Sequence, residues 1–225
     1  MTDIRKVGVI GAGVMGAGIA AHMANAGLPV VLLDVVPDGA NARNVLSDTA
    51  VARLLKTNPA PFMHKRNARR IVTGNIEDDL DQLGECDWII EAIIENLDAK
   101  RDLYARSENE RKTGSMVSSN TSTILLEKLT EDLPERFCKD FAITHFFNPP
   151  RYMRLLEVVV GPQTRPDVLQ SLRSFGDKTL GKNVVTCNER PGFIATRIGI
   201  LWMESAVRFA LEGGLTVEEA DANMG

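Results

Sequence analysis

Six residues near the N-terminus, Gly11-Ala12-Gly13-Val14-Met15-Gly16, limit what this chain can fold into more than any other feature. The pattern G-x-G-x-x-G alone is weak, because scattered glycines produce it by chance. Here an apolar run, Val7 to Ile10, leads into it, and a small-residue helical pattern from Val14 to Ala26 leads out. Gly27 stands where that helix ends, and a second apolar run, Val30 to Leu33, closes on Asp34. Strand, glycine turn, helix and strand make the βαβ unit of a parallel sheet. In that setting the first glycine permits a tight turn, the second lets backbone approach a pyrophosphate, and the third lets helix and strand pack closely. Amides at the helix N-terminus then face the phosphates. Asp34 is placed to accept hydrogen bonds from the adenosine ribose hydroxyls and to repel a 2′-phosphate, which favours NAD over NADP. The cofactor candidates of this segment are Gly11, Gly13, Val14, Met15, Gly16 and Asp34. The competing reading is a structural glycine turn or a different nucleotide.

The rest of the chain continues the alternation. Asp38 to Lys56 reads as a polar helix, Ile71 to Thr73 as a weak strand, and Trp88 to Ile90 as a strong one ending at Glu91. A helix from Asp98 to Lys112, with Asp98 as its N-cap, precedes a strand at Met116 to Ser118. Phe141 to Thr144 and Leu155 to Val160 are further strands, followed by a helix from Arg165 to Leu180 and a strand at Val184-Val185. This alternation predicts a doubly wound α/β fold with a mostly parallel sheet over residues 1–190. Composition changes at Glu189-Arg190-Pro191-Gly192, and residues 191–225 read as the beginning of an all-α domain. Its long helix, Phe193 to Leu211, has an apolar stripe wide enough to call for burial from more than one side, and so predicts self-association.

Charge and cysteines narrow the functional classes. A net charge of −4 argues against non-specific nucleic-acid binding, which needs a basic face. The three cysteines, Cys86, Cys138 and Cys187, are too widely spaced for a metal site or a disulfide framework and read as reduced thiols. No signal peptide or membrane span is evident, so the expectation is a soluble, cytoplasmic protein. The basic stretch Lys56 to Arg70 reads as a solvated face, with contact to a ligand phosphate as its alternative.

His145 stands at a strand end, where the sites of open α/β sheets gather. Glu157 follows in the next apolar strand, beyond the turn-forming Asn148-Pro149-Pro150, so the two side chains can meet. A carboxylate inside an apolar run needs a partner, and a histidine held by it has a fixed tautomer. A purely structural histidine is the competing reading. Ser119-Asn120-Thr121-Ser122 is a hydroxyl-rich turn after a strand, suited both to helix capping and to ligand contact. Glu95 and Lys100 border the same crevice, or else form a solvated acid–base face.

GAGVMGAGIA, ECDWIIEAIIEN, SSNTS, THFFNPPRYMRLLEVV and RPGFIATR occur in this order. Together they resemble the NAD-dependent 3-hydroxyacyl-CoA dehydrogenases of fatty-acid β-oxidation, over essentially the whole chain. The NPPRYMRLLE wording resembles the dehydrogenase part of longer, bifunctional chains in which an enoyl-CoA hydratase-like region follows. The resemblance implies His145 as catalytic base, Glu157 as its orienting carboxylate, and Ser122 beside substrate and nicotinamide. It implies cofactor contacts for Glu95, Lys100 and Asn148, and an acyl-CoA substrate. It also implies a helical C-terminal domain represented here only by its first part. Thr196 occupies a position where the family pattern has an asparagine that helps hold substrate, and threonine offers no amide donor. Two rivals stand beside this reading: a dehydrogenase of a small hydroxy acid without CoA, and a non-catalytic NAD-binding or assembly module.

Overall fold

The computed structural model describes residues 3–224. Its strands are β1 (Val7–Ile10), β2 (Val30–Asp34), β3 (Ile71–Asn75), β4 (Trp88–Glu91), β5 (Met116–Ser119), β6 (Phe141–Phe146), β7 (Leu155–Val160) and β8 (Asn183–Thr186). They form one sheet in the order β3-β2-β1-β4-β5-β6-β7-β8, parallel throughout except between β6 and β7. The helices are α1 (Val14–Asn25), α2 (Val45–Leu54), α3 (Leu97–Glu110), α4 (Leu126–Thr130), α5 (Glu135–Asp140), α6 (Pro166–Lys178), α7 (Ala195–Glu212) and α8 (Val217–Met224).

Strands buried on both faces read as mostly apolar runs, and β1, β4 and β5 are buried along their full length, with the polar Glu91, Ser118 and Ser119 hydrogen-bonded. One core lies between the sheet and α1, α2 and α6; the other lies beneath α3, α4 and α5. The small residues of α1 bring it close to the sheet. A Cβ on Gly16 would sit 1.8 Å from the carbonyl oxygen of Gly11, so only glycine permits this approach. Gly11 itself has φ +104, and a side chain there would strike the carbonyl of Ala92. Both constraints come from the glycine motif, and both shape the turn rather than a ligand surface.

Strand β1 has β2 on one side and β4 on the other, so its two crossovers leave in opposite directions. A crevice therefore opens outside the carboxyl ends of β1 and β4. The single antiparallel pair, β6 and β7, sets His145 directly opposite Glu157. That register decides where the two side chains meet.

Two boundary expectations need correction. Helix α2 begins at Val45, not Asp38, because Pro37 and Gly39, the latter at φ +70, hold the preceding segment in a turn. Helix α3 is capped by Asn96, whose side chain accepts from the Ala99 amide at 2.9 Å, and not by Asp98. Helix α7 has no buried residue: Leu201, Trp202 and Phe209 are 64, 61 and 69% exposed. No helix among the described residues is long and apolar enough to cross a membrane.

Candidate active site

Two cavities meet at the glycine turn. One, of about 440 Å³, is lined by Gly11, Gly13, Asp34, Val35 and the start of α3. The other, of about 620 Å³, is lined by Gly13, Val14, Met15, Glu95, Lys100, Asn120, Ser122, His145, Phe147, Asn148 and Thr196. Gly13, Ala92, Ile93 and Ile94 border both. A Cβ on Gly13 would meet nothing within 4 Å, so the absent side chain leaves room for a ligand rather than for protein. The glycine turn and the residues bordering both cavities would hold a dinucleotide.

Asp34 lines the first cavity. Its Oδ2 accepts from the Ala12 amide at 2.6 Å and its Oδ1 from the Val35 amide at 2.7 Å, so the carboxylate is fixed to the turn it serves. Each oxygen keeps a further lone pair for a ribose hydroxyl. Arg106 lines the same cavity, but its guanidinium donates to the Ile76 carbonyl at 2.7 Å and to Glu77 at 3.2 Å. Among the described residues lining this cavity, Arg106 is the cation, and it is committed to these acceptors, which fits NAD.

The second cavity is walled by an acid–base cluster whose centre the sequence reading overlooked. Glu91, at the end of β4, is fully buried and accepts four hydrogen bonds. Its Oε1 takes Lys100 Nζ at 2.5 Å and the Ile93 amide at 2.8 Å; its Oε2 takes Tyr104 Oη at 2.5 Å and Ser119 Oγ at 2.7 Å. Burial, and then the charge of Glu91, pushes the Tyr104 phenol well above its ordinary range. Lys100, also buried, reaches Glu95 at 3.4 Å. Burial alone would raise the Glu95 carboxyl, but the hydroxyls of Thr121 and Thr123 and the Lys100 ammonium hold it below its ordinary value. Lys100 is thus buried within the cluster, whereas Glu95, 40% exposed, stands at its solvent edge. They form an ordered wall with Glu91 behind it.

The turn after β5 does two jobs. Thr121 Oγ1 accepts from the amides of Thr123 and Ile124, which starts the chain toward α4, while Ser122 faces the cavity. Asn120 Oδ1 accepts from the Phe146 amide at 2.9 Å and so ties this turn to β6. Asn120 and Phe147 line the cavity and were not singled out from sequence, although both lie within the motifs quoted above.

His145 Nδ1 and Glu157 Oε2 are 2.8 Å apart. The other carboxylate oxygen, Oε1, accepts from the amides of Ile194 and Ala195 at 3.0 and 2.8 Å. The carboxylate, 0% exposed as a residue, is therefore paired on both sides, as a buried charge must be. With Nδ1 donating to Glu157, Nε2 is the imidazole nitrogen without a protein partner among the described residues. Phe147 and Phe193 pack on the ring, with centroids 4.4 and 5.6 Å away. Cys187 lies beside Glu157, and burial, then that neighbouring charge, pushes its thiol up to about 11.

The geometry thus gathers Gly13, Val14, Met15, Glu95, Lys100, Ser122, His145, Asn148 and Thr196 around one cavity, with Glu157 behind His145. Gly11 and Asp34 belong to the other cavity, and Gly16 to neither. Lys65, Arg66, Arg69 and Arg70 are exposed and line none of these spaces.

Comparison with known proteins shows the family. The family described as 3-hydroxyacyl-CoA dehydrogenase, NAD binding domain, matches residues 6–190. A probable 3-hydroxyacyl-CoA dehydrogenase of Deinococcus radiodurans is 48% identical over 218 residues, covering 97% of this chain and 63% of that protein. A Bacillus subtilis protein of the same description is 45% identical over 236 residues, covering 99% of this chain and 30% of its own length. This chain therefore spans less than two thirds of either relative. The crystal structure of (S)-3-hydroxybutyryl-CoA dehydrogenase from Ralstonia eutropha superposes with a TM-score of 0.77 at 32% identity, over 96% of this chain and 75% of that one. The glycine turn and Asp34 fall within the residues that match this NAD-binding domain, and the chain belongs to the 3-hydroxyacyl-CoA dehydrogenase family.

Proposed function

We propose that this chain catalyses the reversible oxidation of an L-3-hydroxyacyl-CoA to the 3-ketoacyl-CoA. The observation that carries the reading is the His145–Glu157 pair, 2.8 Å apart, on the cavity that continues from the glycine turn. NAD, when bound, supplies the hydride acceptor. His145 Nε2 removes the proton of the C3 hydroxyl, and in the reverse direction returns it. Glu157 holds the Nδ1 proton in place and stabilises the imidazolium that forms. General-base assistance of this kind is worth roughly 10²–10⁴-fold. Ser122, whose hydroxyl has no protein partner among the described residues, aligns the substrate oxygen. Thr196 lines the same cavity.

The test follows NADH absorbance with acetoacetyl-CoA as substrate, while NADH affinity is titrated separately. Oxidation that requires the CoA ester supports the reading. Equal turnover of free acetoacetate would assign the chain to small hydroxy acids instead. NADH binding with no turnover of either would leave it a cofactor-binding module. The exposed apolar residues of α7 support a second element of the reading, self-association through that helix.

A further inference from the structure

The geometry points to the turn Pro191 to Ala195 as the element that positions the catalytic centre, with Phe193 its principal positioning residue. This inference rests on the proposed function and names residues to which that reading gives no role.

The turn touches each group that the proposed reaction uses. The Gly192 amide donates to the Ser122 carbonyl at 3.0 Å. The Phe193 ring meets the His145 imidazole edge-on, at 62° between planes. The Ile194 and Ala195 amides hold Glu157 Oε1. Thr196, next in sequence, lines the cavity. Four consecutive residues, Gly192 to Ala195, thus anchor the base, its carboxylate and the substrate-facing serine to one short segment.

Its backbone is unusual in a way that bears on this role. Gly192 has φ +76 and Phe193 φ +43, so two successive residues take the left-handed conformation. Glycine does this freely, whereas a bulky residue does so only when its surroundings over-determine it. Phe193 is only 4% exposed and belongs to the core beneath α3, α4 and α5. That burial fixes the turn, and the fixed turn aims two consecutive amides at one carboxylate oxygen. Neither the pairing of β6 with β7 nor the glycine motif supplies this constraint. The dyad therefore depends on residues beyond 190, where the match to the NAD-binding domain ends.

The experiment compares the wild-type chain with Phe193→Leu, which keeps apolar bulk and removes the ring, and with Phe193→Gly, which also relieves the left-handed conformation. In folded Phe193→Leu, kcat with acetoacetyl-CoA falls roughly ten- to hundredfold, the scale expected when reacting groups shift by about an ångström. NADH affinity stays within about twofold, because no NADH-facing group has moved. Independently of turnover, the His145 ring-proton NMR resonances lose the displacement caused by the Phe193 ring, and the Ile194 and Ala195 amide resonances shift. Unchanged kcat in folded Phe193→Leu would overturn the inference. So would equal losses of kcat and NADH affinity, since that is what a merely structural role predicts. If the wild-type chain turned over no acyl-CoA, the proposed function would fail on its own. The imidazole and amide resonances would still decide the positioning role, and unmoved resonances in both variants would refute it.

Discussion

Replacing Glu157 by glutamine exchanges one oxygen for an amide nitrogen at a site where every partner is a donor. The carboxylate accepts from His145 Nδ1 on one oxygen and from the Ile194 and Ala195 amides on the other. A glutamine has two ways to fit. If its NH₂ faces the two backbone amides, donors confront donors, and each buried unsatisfied group costs about 1–3 kcal/mol. If its oxygen faces the amides, both of those bonds survive, and the NH₂ faces His145 Nδ1. The second arrangement loses fewer bonds and wins. It works only if Nδ1 is the acceptor, so the neutral imidazole carries its proton on Nε2. That tautomer cannot accept a proton from the substrate hydroxyl. The expected result is a drop in kcat of about 10³–10⁴-fold, the scale known for the wrong tautomer in a serine-protease triad, with NADH affinity retained. Steady-state NADH oxidation with acetoacetyl-CoA measures the first quantity, and quenching of NADH fluorescence the second. A Glu157→Gln protein within about threefold of wild-type kcat would refute the tautomer argument. A parallel loss of NADH affinity would refute the separation between the dyad and the cofactor site.

Other consequences can be measured more briefly. Gly16→Ala places a methyl 1.8 Å from the Gly11 carbonyl oxygen and should lower the melting temperature sharply. Gly13→Ala meets no protein atom, so it should leave that temperature unchanged and cut NADH affinity at least about tenfold. His22 is buried, and burial first, then Lys182, lowers its imidazole to about 4. In the unfolded chain it titrates near 6.5. Between those values the unfolded chain binds a proton that the native state refuses, so stability falls as pH drops from about 6.5 to 4, by about 3 kcal/mol from this group. Urea unfolding of wild type against His22→Gln across that window checks the slope, and identical slopes would refute the assignment. Thr196→Asn adds an amide donor to the cavity and should lower the KM for acetoacetyl-CoA several-fold without changing NADH affinity. Light scattering over a dilution series should show wild-type self-association that Trp202→Glu abolishes, and a strict monomer throughout would argue against α7 as the contact.

The fold was legible where short-range pattern decides it. Val7 to Ile10, the glycine turn and Val30 to Asp34 fix a βαβ unit because parallel strands need apolar residues on both faces and the turn needs positive φ at Gly11. Boundaries failed where a local hydrogen bond outweighed periodicity. Asn96 captured the cap of α3 because its side chain reaches the Ala99 amide, and the turn at Gly39 shortened α2. The meeting of His145 with Glu157 could be anticipated from a carboxylate in an apolar strand, but the opposite register that achieves it is a property of the β6–β7 pairing.

What sequence could not show is how the charged groups divide their partners. Read in one dimension, Lys100 lies on the helix that follows Glu95 and pairs with it. In three dimensions its closer partner is Glu91 at 2.5 Å, with Glu95 at 3.4 Å. The difference matters physically. A buried ion pair that loses one member costs about 3–5 kcal/mol, whereas a surface pair is worth at most about 1 kcal/mol. Lys100 thus carries a structural duty that any cofactor contact must share. The same holds for Glu157, which the sequence pairs with one histidine and the fold also pairs with two backbone amides from the far side of Pro191. Periodicity reports which face a side chain takes, and spacing reports what it can reach along the chain. Neither reports a backbone amide delivered by a turn nearly forty residues later, which is the bond that makes the buried Glu157 carboxylate tenable.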